Sequence, residues 1–374
     1  MNVPALRSPN AALVLDLLRT AGEAGISRLE LAERTGLTPQ AVSKITARLR
    51  SEGLAAEAGH RASTGGKPRT VLRLVPTAGY AVGVHLDRDE LTTLLADLAG
   101  TVVARRTRAV DLGEGAGPVL DAVTEEVREL SAGTPGPESA AGPGAGPESA
   151  AGAGPDRASA VPGFPVLGVG VAMPGPLDHR AGVPGRVTGF PEWDGHPVRE
   201  ELAGRLGLPV VLDKDTNAAA LGLAVRPAAP GSFAYVHLGT GLGAGLVLGG
   251  APLRGDRTGA GELGHQTVQL DGPPCGCGGR GCLEVLCLAA VARGDDAEAA
   301  RILGAGAANV VRLLDIDQVL LGGRLVLAAP EVFAGGVREV LAGLGLTAPV
   351  RVAGERDAVA AGAAWLILAP IFGK

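Results

Sequence analysis

The sequence predicts a winged helix-turn-helix module followed by an α/β body. Three observations carry this prediction. Two short, capped helices precede a basic pair of strands near the start of the chain. From Tyr80 onward, strand and helix patterns alternate, which is typical of an α/β domain. A glycine-rich stretch, residues 261–284, holds one histidine and three of the chain's four cysteines.

The amino-terminal helices are predicted from periodicity and caps. Ser27 and Glu30 have the spacing of a capping box, so a second helix begins there, and Gly36 ends it. The first helix lies in "NAALVLDLLRTAG", where apolar residues recur at helical spacing. Those apolar residues are Leu13, Val14, Leu17 and Leu18.

The third helix is predicted to be a recognition helix. Thr38 caps it, Pro39 takes its first position, where a missing N–H costs nothing, and Gly53 ends it. Two short helices joined by a glycine turn form a helix-turn-helix, whose second helix enters a major groove. Its buried stripe is Val42, Ile45 and Leu49, which leaves Gln40, Ser43, Lys44 and Ala47 on the opposite face.

Charge and the following strands support a DNA-binding module. Residues 1–75 carry a net charge of +5, whereas the rest of the chain carries −10. The segment after Gly53 reads as two strands around a small cationic loop, "GGKPR", which is typical of a wing that contacts phosphate or a minor groove. We expect Gln40 and Ser43 to read base edges, and the phosphate contacts to be Lys44, Arg48, Arg50, Lys67 and Arg69.

The body is predicted to begin after a short connection, which gives domains at residues 1–75 and 79–374. Three strands, a helix, a buried strand, a helix–strand–helix unit, a hairpin and further helices follow in order. Residues 131–163 consist of Gly, Ala, Pro and Ser with few other residues, and they repeat "GPESAAG". Such a segment buries too little apolar surface to order itself, so we interpret it as a flexible insertion.

The histidine and cysteines predict a structural metal site. His265, Cys275, Cys277 and Cys282 form a nitrogen–sulfur set of the kind that Zn²⁺ prefers in a closed tetrahedral site. The alternative is a cluster of reduced, buried cysteines. Cys287 lies beyond the cluster and is expected to be a small core residue.

The same stretch resembles the ROK family of repressors, open reading frames and sugar kinases. That family carries Gly-His, a short gap and Cys-x-Cys-Gly-x-x-Gly-Cys-x-Glu, which residues 264–265 and 275–284 match without a gap. The resemblance covers nearly the whole chain apart from residues 131–163. It implies an actin-like body with two α/β lobes that face a cleft. It also implies that the metal positions a sugar site, with contacts from Asp215, Asn217, Glu262, His265 and Glu284.

The chain departs from the family's kinases at the first phosphate loop. Kinases of the family carry Asp-x-Gly-Gly-Thr after the first strand, whereas "HLDRDEL" stands here, with His85 at the aspartate position. The added carboxylates of Asp87 and Asp89 would repel phosphates. The second phosphate loop survives as "GTGLGAG", and the paired glycines at 322–323 resemble the family's nucleotide-side turn.

Two further departures concern the sugar site. Asp215 stands at the position of the kinase base, but Lys214 replaces the preceding asparagine and is expected to lower the pKa of Asp215. Gly189 replaces an asparagine in "GFPEW", so one sugar contact is missing or comes from Glu192 or His196.

The sequence thus predicts a sugar-responsive transcriptional regulator, more specifically a repressor, without kinase activity. Its expected partners are operator DNA and a small carbohydrate, and it is expected to form a homodimer or a dimer of dimers, because two recognition helices must meet two half-sites. No apolar run has the length of a membrane span, and the first residues lack a signal-peptide core, so we expect a soluble cytoplasmic protein. The alternatives are an active ATP-dependent sugar kinase and a regulator that no longer senses sugar.

Overall fold

The computed structural model describes residues 8–61, 69–132, 165–187 and 189–374. The amino-terminal part is a winged helix-turn-helix in which a three-stranded sheet has the order β1-β3-β2. Its elements are α1 (Pro9–Ala21), β1 (Ile26–Ser27), α2 (Arg28–Thr35), α3 (Pro39–Ser51), β2 (Ala55–Arg61) and β3 (Arg69–Leu74).

The predicted caps of α2 and α3 are confirmed. The Ser27 hydroxyl accepts from the Glu30 backbone N–H at 3.3 Å, and the Glu30 carboxylate accepts from the Ser27 N–H at 2.8 Å. The Thr38 hydroxyl accepts from the Ala41 N–H at 3.2 Å. Each cap satisfies donors that a helix start leaves unpaired, so the sequence sets where both helices begin.

The structure refines the predicted faces of α1 and α3. Of the apolar residues at helical spacing in α1, Leu13 is 42% exposed, whereas Leu15 is fully buried. In α3, Ile45 is only half-buried, whereas Thr46 is fully buried because its hydroxyl donates to the Val42 carbonyl at 2.8 Å. A hydroxyl that bonds within its own helix can enter the core without an unsatisfied polar atom.

A first lobe follows, built on a five-stranded sheet with the order β10-β7-β4-β5-β6. Helices α4 and α5 share a core with one face of this sheet. Helix α4 ends at Ala132, so it includes the first two residues of the predicted 131–163 insertion, and the rest of that insertion lies outside the described residues. The lobe contains β4 (Tyr80–Leu86), β5 (Glu90–Asp97), β6 (Val102–Ala109), α4 (Ala116–Ala132), β7 (Val166–Met173), β8 (Leu177–Asp178), β9 (Val183–Pro184), α5 (Val198–Leu206) and β10 (Val210–Lys214).

A second lobe is built on another five-stranded sheet, with the order β13-β12-β11-β14-β15. Helices α7, α8 and α10 share a core with this sheet. Its elements are α6 (Asp215–Ala224), β11 (Phe233–Leu238), β12 (Leu242–Leu248), β13 (Ala251–Leu253), α7 (Leu283–Ala292), α8 (Asp296–Leu314), β14 (Gln318–Gly322), α9 (Arg324–Ala328), α10 (Pro330–Gly343), β15 (Val350–Val352) and the final helix α11 (Ala358–Leu368).

Helices α6 and α11 lie side by side between the two sheets. Helix α11 packs on β4, β5 and β7 of the first lobe, while α6 packs on β11 and β12 of the second. Both helices also belong to one hydrophobic core with the winged helix, through residues such as Leu15, Leu18 and Trp365. The winged helix therefore packs directly on the junction between the lobes. Within the described residues, no helix combines the length and apolarity that crossing a membrane requires.

Candidate functional site

Four of the predicted sugar-contacting residues line one cleft between the lobes. Asp215 opens α6 directly after β10, Glu262 and His265 flank a short 3₁₀ turn, and Glu284 lies in the first turn of α7. The Glu284 carboxylate accepts from the Leu242 backbone N–H at 2.8 Å, which ties α7 to the start of β12. The cleft thus gathers acceptors and one imidazole on separate but packed elements.

Among the acids that line the cleft, Asp215 has the pKa that is raised most. Burial raises its pKa to about 7, and the nearby carboxylates of Asp87 and Glu262 add to this, whereas the Thr216 N–H and Lys214 act in the opposite direction. Lys214 lowers the pKa of Asp215, as expected, but desolvation outweighs the charge of the lysine and the pKa rises overall.

Lys214 instead pairs with Glu262. Its ammonium donates to the Glu262 carboxylate at 2.8 Å and to the Ala260 carbonyl at 2.7 Å, and only 3% of its side chain is exposed. The sequence interpretation missed this pair, although a lysine in an otherwise buried strand signals a buried partner. The pair fixes one oxygen of Glu262 and leaves the other free for a ligand.

Asn217 does not reach the cleft as predicted. It is fully buried, and its amide donates to the Asp213 carboxylate at 2.9 Å. Asp213 also accepts from Arg254 at 2.6 Å and from the Lys214 backbone N–H at 2.8 Å. Asn217 therefore lies below the cleft surface and helps to hold the start of α6, because its bond to Asp213 ties the first turn of the helix to the end of β10.

The predicted metal ligands converge. The ligand atoms of His265, Cys275, Cys277 and Cys282 all lie within 4.8 Å of one another. The Cys275 sulfur is 3.7 Å from His265 Nδ1, and the sulfurs of Cys277 and Cys282 are also 3.7 Å apart. Zinc–sulfur bonds of about 2.3 Å in a tetrahedron require sulfurs ~3.8 Å apart, so the donor set fits the ion.

Glycine allows the metal loop to fold this tightly. Gly281 has a φ of +57°, and a Cβ at that position would lie 1.7 Å from the Gln269 carbonyl oxygen. A Cβ at Gly279 would contact the sulfurs of both Cys277 and Cys282. A side chain at Gly281 would therefore displace the backbone beside Cys282, whereas one at Gly279 would only touch the sulfurs. Cys287 is fully buried in the neighbouring core, as predicted.

The turn after β4 bridges the two lobes. The Asp87 carboxylate accepts from the Thr240 hydroxyl at 2.8 Å, and the Asp89 carboxylate pairs with Arg324 at 2.9 Å. Burial raises the pKa of Asp87, but His85, the Arg88 N–H and the Thr240 hydroxyl together hold that pKa below its usual value. Asp87 of the first lobe thus contacts the turn between β11 and β12 of the second lobe, and Asp89 contacts the first residue of α9.

Two buried histidines lie behind this bridge. The rings of His85 and His237 have centroids 6.5 Å apart, and the Tyr235 hydroxyl lies 3.2 Å from His237 Nδ1. Burial lowers the pKa of His237 to about 4 and also lowers the pKa of His85. Both rings are therefore neutral at pH 7, and they add no positive charge where a phosphate would need it.

The sequence leaves two alternatives at Gly189: a missing sugar contact, or one supplied by Glu192 or His196. Gly189 has a φ of +89° and lines the cleft's outer pocket beside the metal loop. His196 is paired with Glu201 at 2.7 Å, and Glu192 is exposed outside the cleft lining. Neither side chain takes the place of the absent asparagine.

The predicted recognition face of α3 is open. Gln40, Ser43 and Lys44 are exposed on one side of the helix. Arg48 pairs with Glu52 at 3.0 Å and Arg50 with Glu57 at 3.1 Å, so DNA phosphates would compete with these carboxylates. Lys67 falls outside the described residues, and Arg69 opens β3 with its side chain outside the description.

Comparisons with known proteins agree with this architecture. A family model described as winged helix-turn-helix DNA-binding matches residues 14–55, and one described as ROK family matches residues 161–294. The xylose repressor of Bacillus subtilis (strain 168) is 29% identical over 264 residues, which are 70% of this chain and 61% of that protein. The chain spans about three fifths of the length of such curated relatives.

Solved structures are similar over longer stretches. The ROK hexokinase from Thermus thermophilus is 30% identical, with a TM-score of 0.57 over 76% of this chain and 96% of that one. A ROK family transcriptional regulator, a homologue of the Escherichia coli MLC protein, is 22% identical, with a TM-score of 0.71 over 99% of this chain and 97% of that one. The latter likeness extends the match in fold to both the winged helix and the two-lobed body.

Proposed function

The chain belongs to the ROK family, and from this premise we propose that it is a sugar-responsive DNA-binding regulator, more specifically a repressor. The observation that carries the proposal is the packing of a winged helix with an open recognition face directly on the junction between two lobes that enclose a polar cleft. The similarity to a protein named xylose repressor supports the same function.

The cleft suits a small polyhydroxylated ligand. Asp215, Glu262, His265 and Glu284 offer several acceptors and one imidazole within one pocket, which is the inventory that sugar hydroxyls require. Asn217 contributes from beneath by holding the start of α6. The ion pair with Lys214 orients one oxygen of Glu262, so Glu262 meets the ligand as a fixed acceptor.

Zn²⁺ is the metal that we propose for the four-ligand cluster. Bound there, it would supply a closed structural node that fixes the loop from Glu262 to Glu284. Because His265 offers Nδ1 to the cluster, its Nε2 remains available to a hydroxyl in the cleft. The metal thus acts on the ligand only by positioning this chain's own residues.

A second candidate function is an ATP-dependent sugar kinase. The raised pKa of Asp215 favours it, since a base with a pKa near 7 is well matched to deprotonating a hydroxyl. Against it, Asp87 and Asp89 bring negative charge to the position of the first phosphate loop and bond across it to Thr240 and Arg324. This negative charge would repel the phosphates of ATP and weaken the electrostatic stabilisation on which phosphoryl transfer depends.

DNA binding is proposed to use a dimer, so that two copies of α3 meet two half-sites. Replacing Lys44 by alanine should weaken binding to all sequences and reduce the slope of log K against log salt by about one, because one phosphate contact is lost. Titrations across a range of salt concentrations measure this slope. Arg301→Ala, in the exposed Arg301–Glu298 pair of α8, is the matched control. An unchanged slope in Lys44→Ala would mean that Lys44 does not contact phosphate.

The function is tested by fluorescence anisotropy of a labelled duplex from upstream of the protein's own gene. The protein is titrated alone and with D-xylose, D-glucose, D-mannose and glucose 6-phosphate, which we call the sugar panel. We expect one sugar to change the Kd for DNA by about tenfold. Binding that no sugar alters would favour a regulator that no longer senses sugar, in line with Gly189. ADP release from ATP with any member of the panel would favour the kinase.

A further inference from the structure

Arg19 of the DNA-binding module is buried against the body instead of facing DNA. Only 7% of its side chain is exposed, although it lies on α1. Its guanidinium donates to the Asp16 carboxylate at 2.6 and 3.0 Å and to the Val225 carbonyl of the body at 3.0 Å. An arginine removed from water in this way is held by the geometry of its partners, because each donor left unpaired would be costly.

Aromatic rings of the carboxyl-terminal segment complete the surroundings of Arg19. Its guanidinium carbon lies 5.0 Å from the centre of the Trp365 ring and 5.2 Å from that of Phe372. Lys374 pairs with the other oxygen of Asp16 at 3.1 Å. A desolvated cation close to two aromatic rings gains a favourable and distance-dependent interaction. We call Arg19, Asp16, Val225, Trp365 and Phe372 the Arg19 contact.

The body residues of this contact lie at the ends of two helices. Val225 caps the carboxyl end of α6, whose first residue, Asp215, lies in the ligand cleft. Trp365 lies in the last turn of α11, and Phe372 follows it in a 3₁₀ turn. A helix of ten residues is about 15 Å long, so α6 joins the cleft to Arg19 as a single element.

Helix α6 is held on both sides by backbone. A Cβ at Gly245 of β12 would lie 2.0 Å from the Thr216 carbonyl oxygen, and a Cβ at Gly362 of α11 would lie 1.9 Å from the Ala218 carbonyl oxygen. No flexible side chain therefore separates α6 from β12 of the second lobe, or from α11, which packs on the sheet of the first lobe, at these two points. A shift of one lobe relative to the other must move α6 against α11, because close-packed elements transmit displacements.

We propose that Arg19 communicates the state of the cleft to the DNA-binding module. The inference rests on the proposed function. Ligand contacts at Asp215 favour one arrangement of α6 against α11, and the Arg19 contact fits one arrangement better than the other. The DNA-binding modules of a dimer then change their relative position, and the affinity for operator changes with them.

The test compares Arg19→Met with Arg226→Met. Methionine keeps much of the volume of the Arg19 side chain but removes its charge and all its donors. Arg226 is the next residue after Val225 and forms an exposed pair with Glu355, so its replacement is a matched control outside the contact. For each full-length protein, the Kd for the upstream duplex is measured with and without each sugar of the panel, and sugar affinity without DNA is measured by calorimetry.

For each protein we take the ratio of the Kd for DNA with the responsive sugar to the Kd without it. We expect these two values to differ about tenfold in the wild type and in Arg226→Met. In Arg19→Met the ratio should be about one, while the sugar affinity is unchanged. If Arg19→Met keeps the tenfold ratio of the wild type, the role of Arg19 is wrong, whereas the proposed function stands. A wild-type ratio of one for every sugar would overturn the proposed function and this inference together. Should Arg19→Met fail to unfold cooperatively, Arg19→Lys replaces it. Lysine keeps the charge but not the fork of donors, so its ratio should fall, and an unchanged ratio would contradict the inference.

Discussion

Replacing Cys277 by serine is expected to abolish zinc binding and to lower the free energy of unfolding of the second lobe. Metal analysis of the purified protein should fall from about one zinc per chain to below ~0.1. The physical reason is the closed donor set, whose sulfurs are already spaced for a tetrahedral ion. Serine offers a hard oxygen that remains protonated at pH 7, so three ligands must hold the ion.

The loss should also reach the ligand cleft. Without the metal, the side chain of His265 is free to rotate. The loop between Glu262 and Glu284 is then no longer held by the four ligands, so both carboxylates lose their fixed positions in the cleft. We therefore expect weaker sugar binding in calorimetry together with a lower thermal midpoint. Cys287→Ala is the matched control, because that sulfur lies in the hydrophobic core outside the four-ligand cluster and donates to the Ala299 carbonyl at 3.6 Å. Full zinc content in Cys277→Ser would contradict the ligand assignment.

Replacing Asp215 by asparagine is expected to remove a pH dependence from the stability of the protein. The folded state raises the pKa of Asp215 from about 3.8 to about 7, so folded chains bind more protons than unfolded chains between these values. The stability due to this protonation is fully present below pH ~4 and is lost as the pH rises through ~7. Asparagine cannot ionise, so the variant keeps that stability.

The difference is measured by urea unfolding at several pH values. At about pH 8, Asp215→Asn should be more stable than the wild type by a few kcal/mol, since each pKa unit is worth about 1.4 kcal/mol, and the two should converge near pH 4. Asp271→Asn, at an exposed loop position, should follow the wild-type profile. Parallel profiles for Asp215→Asn and the wild type would show that burial does not raise the pKa of Asp215.

Local chemistry explains what the sequence could predict. The capping residues Ser27, Glu30 and Thr38 act on backbone within three residues, so their effect was readable before any fold was known. The metal cluster was readable for the same reason, since three of its ligands lie within eight residues of sequence. The body decides which side of α1 is covered, so helical spacing alone does not separate the exposed Leu13 from the buried Leu15.

Contacts between distant segments could not be read in this way. Lys214 and Glu262 are 48 residues apart, so no local pattern indicates that the lysine pairs with a predicted sugar-contacting residue. Asn217 was placed in the cleft by family resemblance, but Asp213 and Arg254 draw the start of α6 into a buried network. Arg19 in α1 contacts a carbonyl 206 residues away, a contact that only the assembled lobes create.

We propose that the binding of a ligand in the cleft and the binding of DNA to the winged helix are thermodynamically linked. The most direct test is calorimetric titration of the responsive sugar into the protein, first alone and then saturated with the upstream duplex. Linkage requires that DNA change the sugar's Kd by the same factor by which the sugar changes the DNA's Kd. We expect equal factors of about ten in the two experiments. A sugar Kd that is the same with and without bound DNA would contradict this linkage.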